Sequence, residues 1–242
     1  MILIAMAVAL AFGARPVPRP TVGLMSIPTG HRRNRVDPWG DLQATAARGL
    51  FTGNRGCLVD DNRQLARHHR GSLWITCLTE YRGRRHELDQ PRRWTPLFFL
   101  DDAVALAAGH RPCGECRPAA YRAYRAGVAA GLGLPAGAVT AGDLDRRLAA
   151  ERLRPGRGLE RARHRRLWPA PVNALPAGTV VVGPAAGRAL LVTAEGVRPF
   201  TFEGWGRLAA APDGEVPVLT PPTSALALAH GFEPVLHPSA LG

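Results

Sequence analysis

The apolar pattern changes character most sharply between Pro96 and Pro118. Residues 97–100 form a continuous apolar run of strand length. Asp101 or Asp102 follows, and a short side-chain oxygen there can accept the free N–H groups of a first helical turn. Residues 103–108 are strong helix formers. Gly109 stands where a left-handed C-cap belongs, and Pro112 cannot prolong the helix. The chain then turns through Cys113-Gly114-Glu115-Cys116.

The remaining pattern predicts a mixed α+β chain. Residues 41–49 read as a short helix, and residues 51–61 as turn-rich, with Arg55 between Gly53 and Gly56. Residues 72–81 are β-branched and aromatic and read as a strand carrying Cys77. Residues 119–132 place Tyr121, Tyr124 and Val128 on one helical face. Thr140 and Asp143 form a capping box for a helix with Leu144, Leu148 and Leu153 on one side. Residues 154–166, rich in Pro, Gly and Arg, read as a linker or basic arm closing a first domain. Beyond Trp168, residues 179–182, 188–193, 197–203 and 216–220 alternate with turns and predict a small antiparallel sheet. Thr223 or Ser224 would cap a last helix over residues 225–230, stopped at Gly231. The stretch from Leu219 to Pro234 repeats the cadence of Leu97 to Pro112. Recurrence of a common local motif explains this better than duplication, because the shared residues are small and frequent.

Length and charge narrow the picture. A chain of 242 residues holds one large or two small domains. We divide it into residues 1–24, a non-structural or misassigned start; residues 25–166, a metal-binding unit with a helical extension; and residues 167–242, an α+β carboxyl-terminal region. The formal charge is +12, and every basic chain is arginine. Genome base composition explains that choice most simply. Arginine nevertheless keeps its charge and grips phosphate bidentately, so a polyanion is the expected partner. No segment has the length of a membrane span. The four cysteines fit a reducing cytoplasm. Oligomeric state is not legible.

Candidate chemistry centres on those cysteines. Cys113 and Cys116, three positions apart on a turn, can face one ion, and Cys57 and Cys77 bring the set to four. A redox pair or inert buried thiols are the competing readings. The loop Arg82-Gly83-Arg84-Arg85-His86, flanked by Tyr81 and Trp94, can grip phosphate and stack on bases, or can be a solvated hairpin. His31 to Arg35 reads as a solvated run. His164, Glu203, Asp213, His230 and His237 are titratable groups outside any recognisable motif.

Residues 105–118, with the Phe98-Phe99 strand before them, resemble the zinc-binding N-terminal domain of Ada-type DNA repair proteins. Ala108, Gly109, Arg111, Pro112, Cys113, Cys116 and Pro118 stand at matching places, with His110 at the aromatic position. Ile75-Thr76-Cys77 and the basic loop after it look like the family's first ligand and its loop. The likeness spans about residues 70–120. It implies a small α/β domain holding Zn²⁺, with Cys77 at the place of the sulfur that accepts a methyl group from a DNA phosphotriester. Tyr81 stands where the family has a further cysteine. The fourth ligand is then expected from Cys57, with His110 and His86 as substitutes. Arg82, Arg84, Arg85, Arg111 and Arg117 become the expected phosphate contacts. The implied function is a zinc protein that binds nucleic acid, DNA first, in repair, modification or defence. The alternatives are an enzyme acting on damaged or modified DNA, including one-shot methyl transfer to Cys77, and a structural protein-interaction module.

Overall fold

The structure, a computed structural model, describes residues 30–185 and 187–241; the expected non-structural start at 1–24 lies outside them. In chain order the first part contains β1 (Arg33–Val36), β2 (Leu42–Ala44), β3 (Phe51–Asn54), β4 (Ile75–Leu78), β5 (Leu97–Phe99), α1 (Asp102–Ala107), β6 (Arg111–Pro112), α2 (Pro118–Gly131) and α3 (Ala141–Arg152). The second part contains β7 (Trp168–Pro171), β8 (Val180–Val182), β9 (Ala189–Thr193), β10 (Gly196–Thr201), β11 (Gly204–Trp205), β12 (Glu215–Val218) and α4 (Pro222–Ala229). They form two six-stranded sheets, ordered β2-β1-β5-β3-β4-β6 and β11-β10-β9-β8-β12-β7. Pairing is antiparallel except for β1 with β5 and β4 with β6. The class is α+β.

The predicted strand–cap–helix unit is present and deeply buried. The Asp101 carboxylate accepts the Val104 N–H at 3.0 Å, and all six residues of α1 are buried. The capping box at Thr140 and Asp143 is also present, although α3 ends at Arg152, one residue short of Leu153. The helix expected over residues 119–132 appears as α2, with Tyr124 and Val128 fully buried.

Several expectations are corrected. Residues 41–49 form no helix; residues 42–44 pair with β1, and Asp41 is buried with its carboxylate accepting the Arg161 N–H at 2.6 Å. Long-range pairing here outweighs a short stretch's weak helical preference. Residues 51–54 are an inner strand of the first sheet. Gly53 is needed there because a Cβ would lie 2.2 Å from the Ile75 carbonyl oxygen. The strand expected over residues 72–81 is confined to Ile75–Leu78. The last helix starts at Pro222 after Pro221, without a side-chain cap. Thr223 donates its N–H and hydroxyl to Glu151 instead, and Ser224 hydrogen-bonds Tyr124.

The division at residue 166 also dissolves. One core joins Val36, Leu97, Phe99 and Val104 to Val180, Leu191, Trp205 and Leu219. The Asp101 carboxylate accepts the Trp205 indole N–H at 2.6 Å and the His237 N–H at 3.0 Å. Asp102 accepts the Val235 N–H at 3.0 Å. The expected basic arm is interior only in part: Arg161 and Arg165 are buried, while Arg157 and Arg163 are exposed. Arg165 donates to the carbonyls of Ala107, Ala108 and Leu219, and Arg152 donates to those of Gly109 and Ser72. Arg165 thereby caps the negative end of α1 at its last carbonyls, and Arg152 holds the carbonyl of Gly109 just beyond it.

Candidate metal centre

Cys77 lies in β4, and Cys113 follows β6. These strands run parallel, with Ile75 opposite Arg111 and Thr76 opposite Pro112. The Cys113 N–H donates to the Thr76 carbonyl at 2.9 Å. Continuing that register brings residues 77 and 113 side by side, and the turn returns Cys116 to the same place. The three sulfur atoms all lie within 4.8 Å of one another. Cys77 and Cys113 are buried and Cys116 is half-buried. All four cysteines are free thiols.

Hydrogen bonds favour the thiolate at one of the three sulfurs, Cys113. The Cys77 thiol donates to Cys113. That bond, foremost, lowers the Cys113 pKa, helped by backbone N–H groups of Cys116 and Glu115 and opposed by burial. The same bond, with burial, pushes Cys77 upward. Cys116 is raised mainly by burial, against the Leu78 N–H. An ion arriving here displaces protons, so its binding would strengthen as pH rises.

The donors fit a thiophilic ion. Zinc–sulfur bonds of about 2.3 Å place tetrahedral ligand sulfurs about 3.8 Å apart, so a contraction of no more than about 1 Å is required. Soft thiolates favour zinc over hard cations. Among the described residues this is the one group of three or more His, Cys, Asp or Glu ligand atoms so close together.

The predicted fourth ligands stand elsewhere. The Cys57 thiol donates to the Val59 carbonyl at 3.4 Å and does not join the cluster. Beyond Asn54 the chain leaves the β3–β4 ladder, which carries Cys57 into the following loop. His110 is fully buried between Trp74 and Phe99, with neither ring nitrogen hydrogen-bonded. Burial, with Arg55 and Arg152 nearby, holds its pKa well below the ordinary histidine value. His86 is exposed and packs edge-on against Trp94.

The expected phosphate contacts divide in two. Arg82, Arg84 and Arg85 are exposed, in a tight turn where Arg82 has φ 54° and Gly83 has φ 71°. Arg82 lies over the Tyr81 ring, and Arg85 pairs with Glu80 at 2.9 Å. Arg111 and Arg117 are buried, and their forks are occupied. Arg111 grips Asp145 at 2.8 and 3.0 Å, and Arg117 grips Asp102 at 2.6 and 2.7 Å. Both are thus corrected from phosphate contacts to structural pairs. Arg117 also donates to Thr76 at 3.0 Å and covers the Phe51 ring, tying the cysteine turn to β4 and α1. That role was not legible in the residue types; the only signal was an arginine immediately after the second turn cysteine.

The other titratable candidates do not assemble into a site. His164 accepts from Arg161, His230 contacts the Leu226 carbonyl, and His237 contacts Ser239; Glu203 and Asp213 are exposed. No helix among the described residues is long and apolar enough to cross a membrane. No protein-family model, curated protein or solved structure matches the chain.

Proposed function

We propose that this chain is a zinc-binding protein that engages nucleic acid, DNA in the first instance, in repair, modification or defence. The observation that carries the reading is the convergence of Cys77, Cys113 and Cys116 next in sequence to an exposed arginine loop. Thiolates would hold Zn²⁺ there, with the ion fixing β4 to the turn before α2. Arg82, Arg84 and Arg85 would meet phosphates, while half-buried Tyr81 and Trp94 offer ring faces beside them. The Ada-type resemblance of residues 70–120 supports the same reading.

Metal content after replacing each cysteine tests it. Serine at 77, 113 or 116 is expected to abolish stoichiometric zinc, and serine at 57 to leave it intact. Zinc retained without Cys77 would defeat the metal assignment. DNA affinity that ignores salt between 50 and 200 mM, where phosphate contacts should weaken it steeply, would defeat the nucleic-acid assignment.

A further inference from the structure

The cysteine cluster supplies three donors, and among the described residues no fourth Cys, His, Asp or Glu ligand atom joins them. Cys57 is committed to Val59, His110 is enclosed by aromatic rings, and His86 packs on Trp94. The nearby carboxylate of Glu80 pairs with Arg85. Residues 1–29, Ala186 and Gly242 contain no Cys, His, Asp or Glu side chain, so none of these can complete the set. The flank of the cluster is open: Cys116 is half-buried, and Leu78, Gly114 and Glu115 are exposed. Structural zinc sites close four protein ligands around the ion, whereas reactive ones keep three and leave a position for an outside molecule.

We infer that an ion held by Cys77, Cys113 and Cys116 keeps an exchangeable fourth position, and that the donor suited to it is a thiolate from solution. This rests on the zinc reading above. Three soft donors select a thiophilic ion, which in turn favours a fourth sulfur. The exposed Arg82, Arg84 and Arg85, close in sequence to Cys77, add positive charge to attract an anion. On binding, the incoming thiol releases its proton to solvent as the sulfur–metal bond forms. The donor it replaces leaves, and no electrons are exchanged.

The test loads the full chain with cobalt(II) in place of zinc and follows the near-ultraviolet sulfur-to-cobalt absorption during titration with ethanethiol. Retained metal is measured after gel filtration. The band should grow by about a third, as three sulfur–metal bonds become four. Cys57→Ser should start from the same band and respond alike. A band that ignores ethanethiol while cobalt stays bound overturns the inference and leaves the zinc reading standing. So does loss of cobalt to the thiol, or a Cys57→Ser protein whose starting band is weaker by one bond's share. Failure to retain any cobalt or zinc defeats the zinc reading, and this inference with it.

Discussion

The arginines around the end of α1 and those of the loop after β4 share one chemistry and have opposite surroundings. Arg152 and Arg165 are buried against backbone carbonyls, and Arg117 against Asp102. Burial holds the pKa of Arg152 at about 9 and of Arg165 at about 10, below the usual arginine value. Both remain cations at neutral pH. Arg82, Arg84 and Arg85 face solvent. A net charge of +12 is therefore not a measure of binding surface. Part of it closes the interior, and a guanidinium can do so because its five donors satisfy several acceptors at once.

Breaking an interior pair should have the largest effect. Asp102→Asn leaves Arg117 buried without its carboxylate and should cost about 3–5 kcal/mol in urea unfolding. A loss below 1 kcal/mol would mean that the pair is not structural.

The next effect is acid sensitivity. His68 and His110 are buried and held neutral, chiefly by desolvation and then by neighbouring Arg55. Both pKa values are lowered on folding, so the unfolded chain takes up protons first. Stability is therefore greatest above about pH 6.5 and falls below it, these two histidines alone contributing roughly 2 kcal/mol of the loss between pH 6.5 and 5.5. His110→Phe, between Trp74 and Phe99, should reduce that loss. An unchanged unfolding midpoint between pH 7 and 5.5 would contradict the neutral interior.

The smallest change in stability is expected in the loop. Replacing Arg82, Arg84 and Arg85 together by Gln should alter stability by no more than about 0.5 kcal/mol. The same change should lower the salt dependence of DNA binding by about 0.9 per lost phosphate contact. Large destabilisation with unchanged binding would reverse the contrast between loop and interior.

Much of the local structure was legible because its signals are short-range. The Asp101 cap, α1, the Thr140–Asp143 box and the strands beyond Trp168 follow from side chains acting on their own backbone or from simple alternation. Cys113 and Cys116 were legible for the same reason, since a tight turn brings them together. Asp41 misled because its partner lies at residue 161, and Gly53 because its value is room for a neighbouring strand. Arg111 and Arg117 beside the turn looked available because their acidic partners are distant in sequence.

The residues alone determined where the chain caps, bends and alternates, the thiol-bearing turn, and the total positive charge, because each depends on near neighbours or on composition. Only the tertiary structure decided that Cys77 joins that turn while Cys57 does not, that both sheets share one core, and which arginines are spent inside. Those outcomes depend on the register of β4 against β6 and on contacts between residues far apart in the chain. Local propensity carries no information about either.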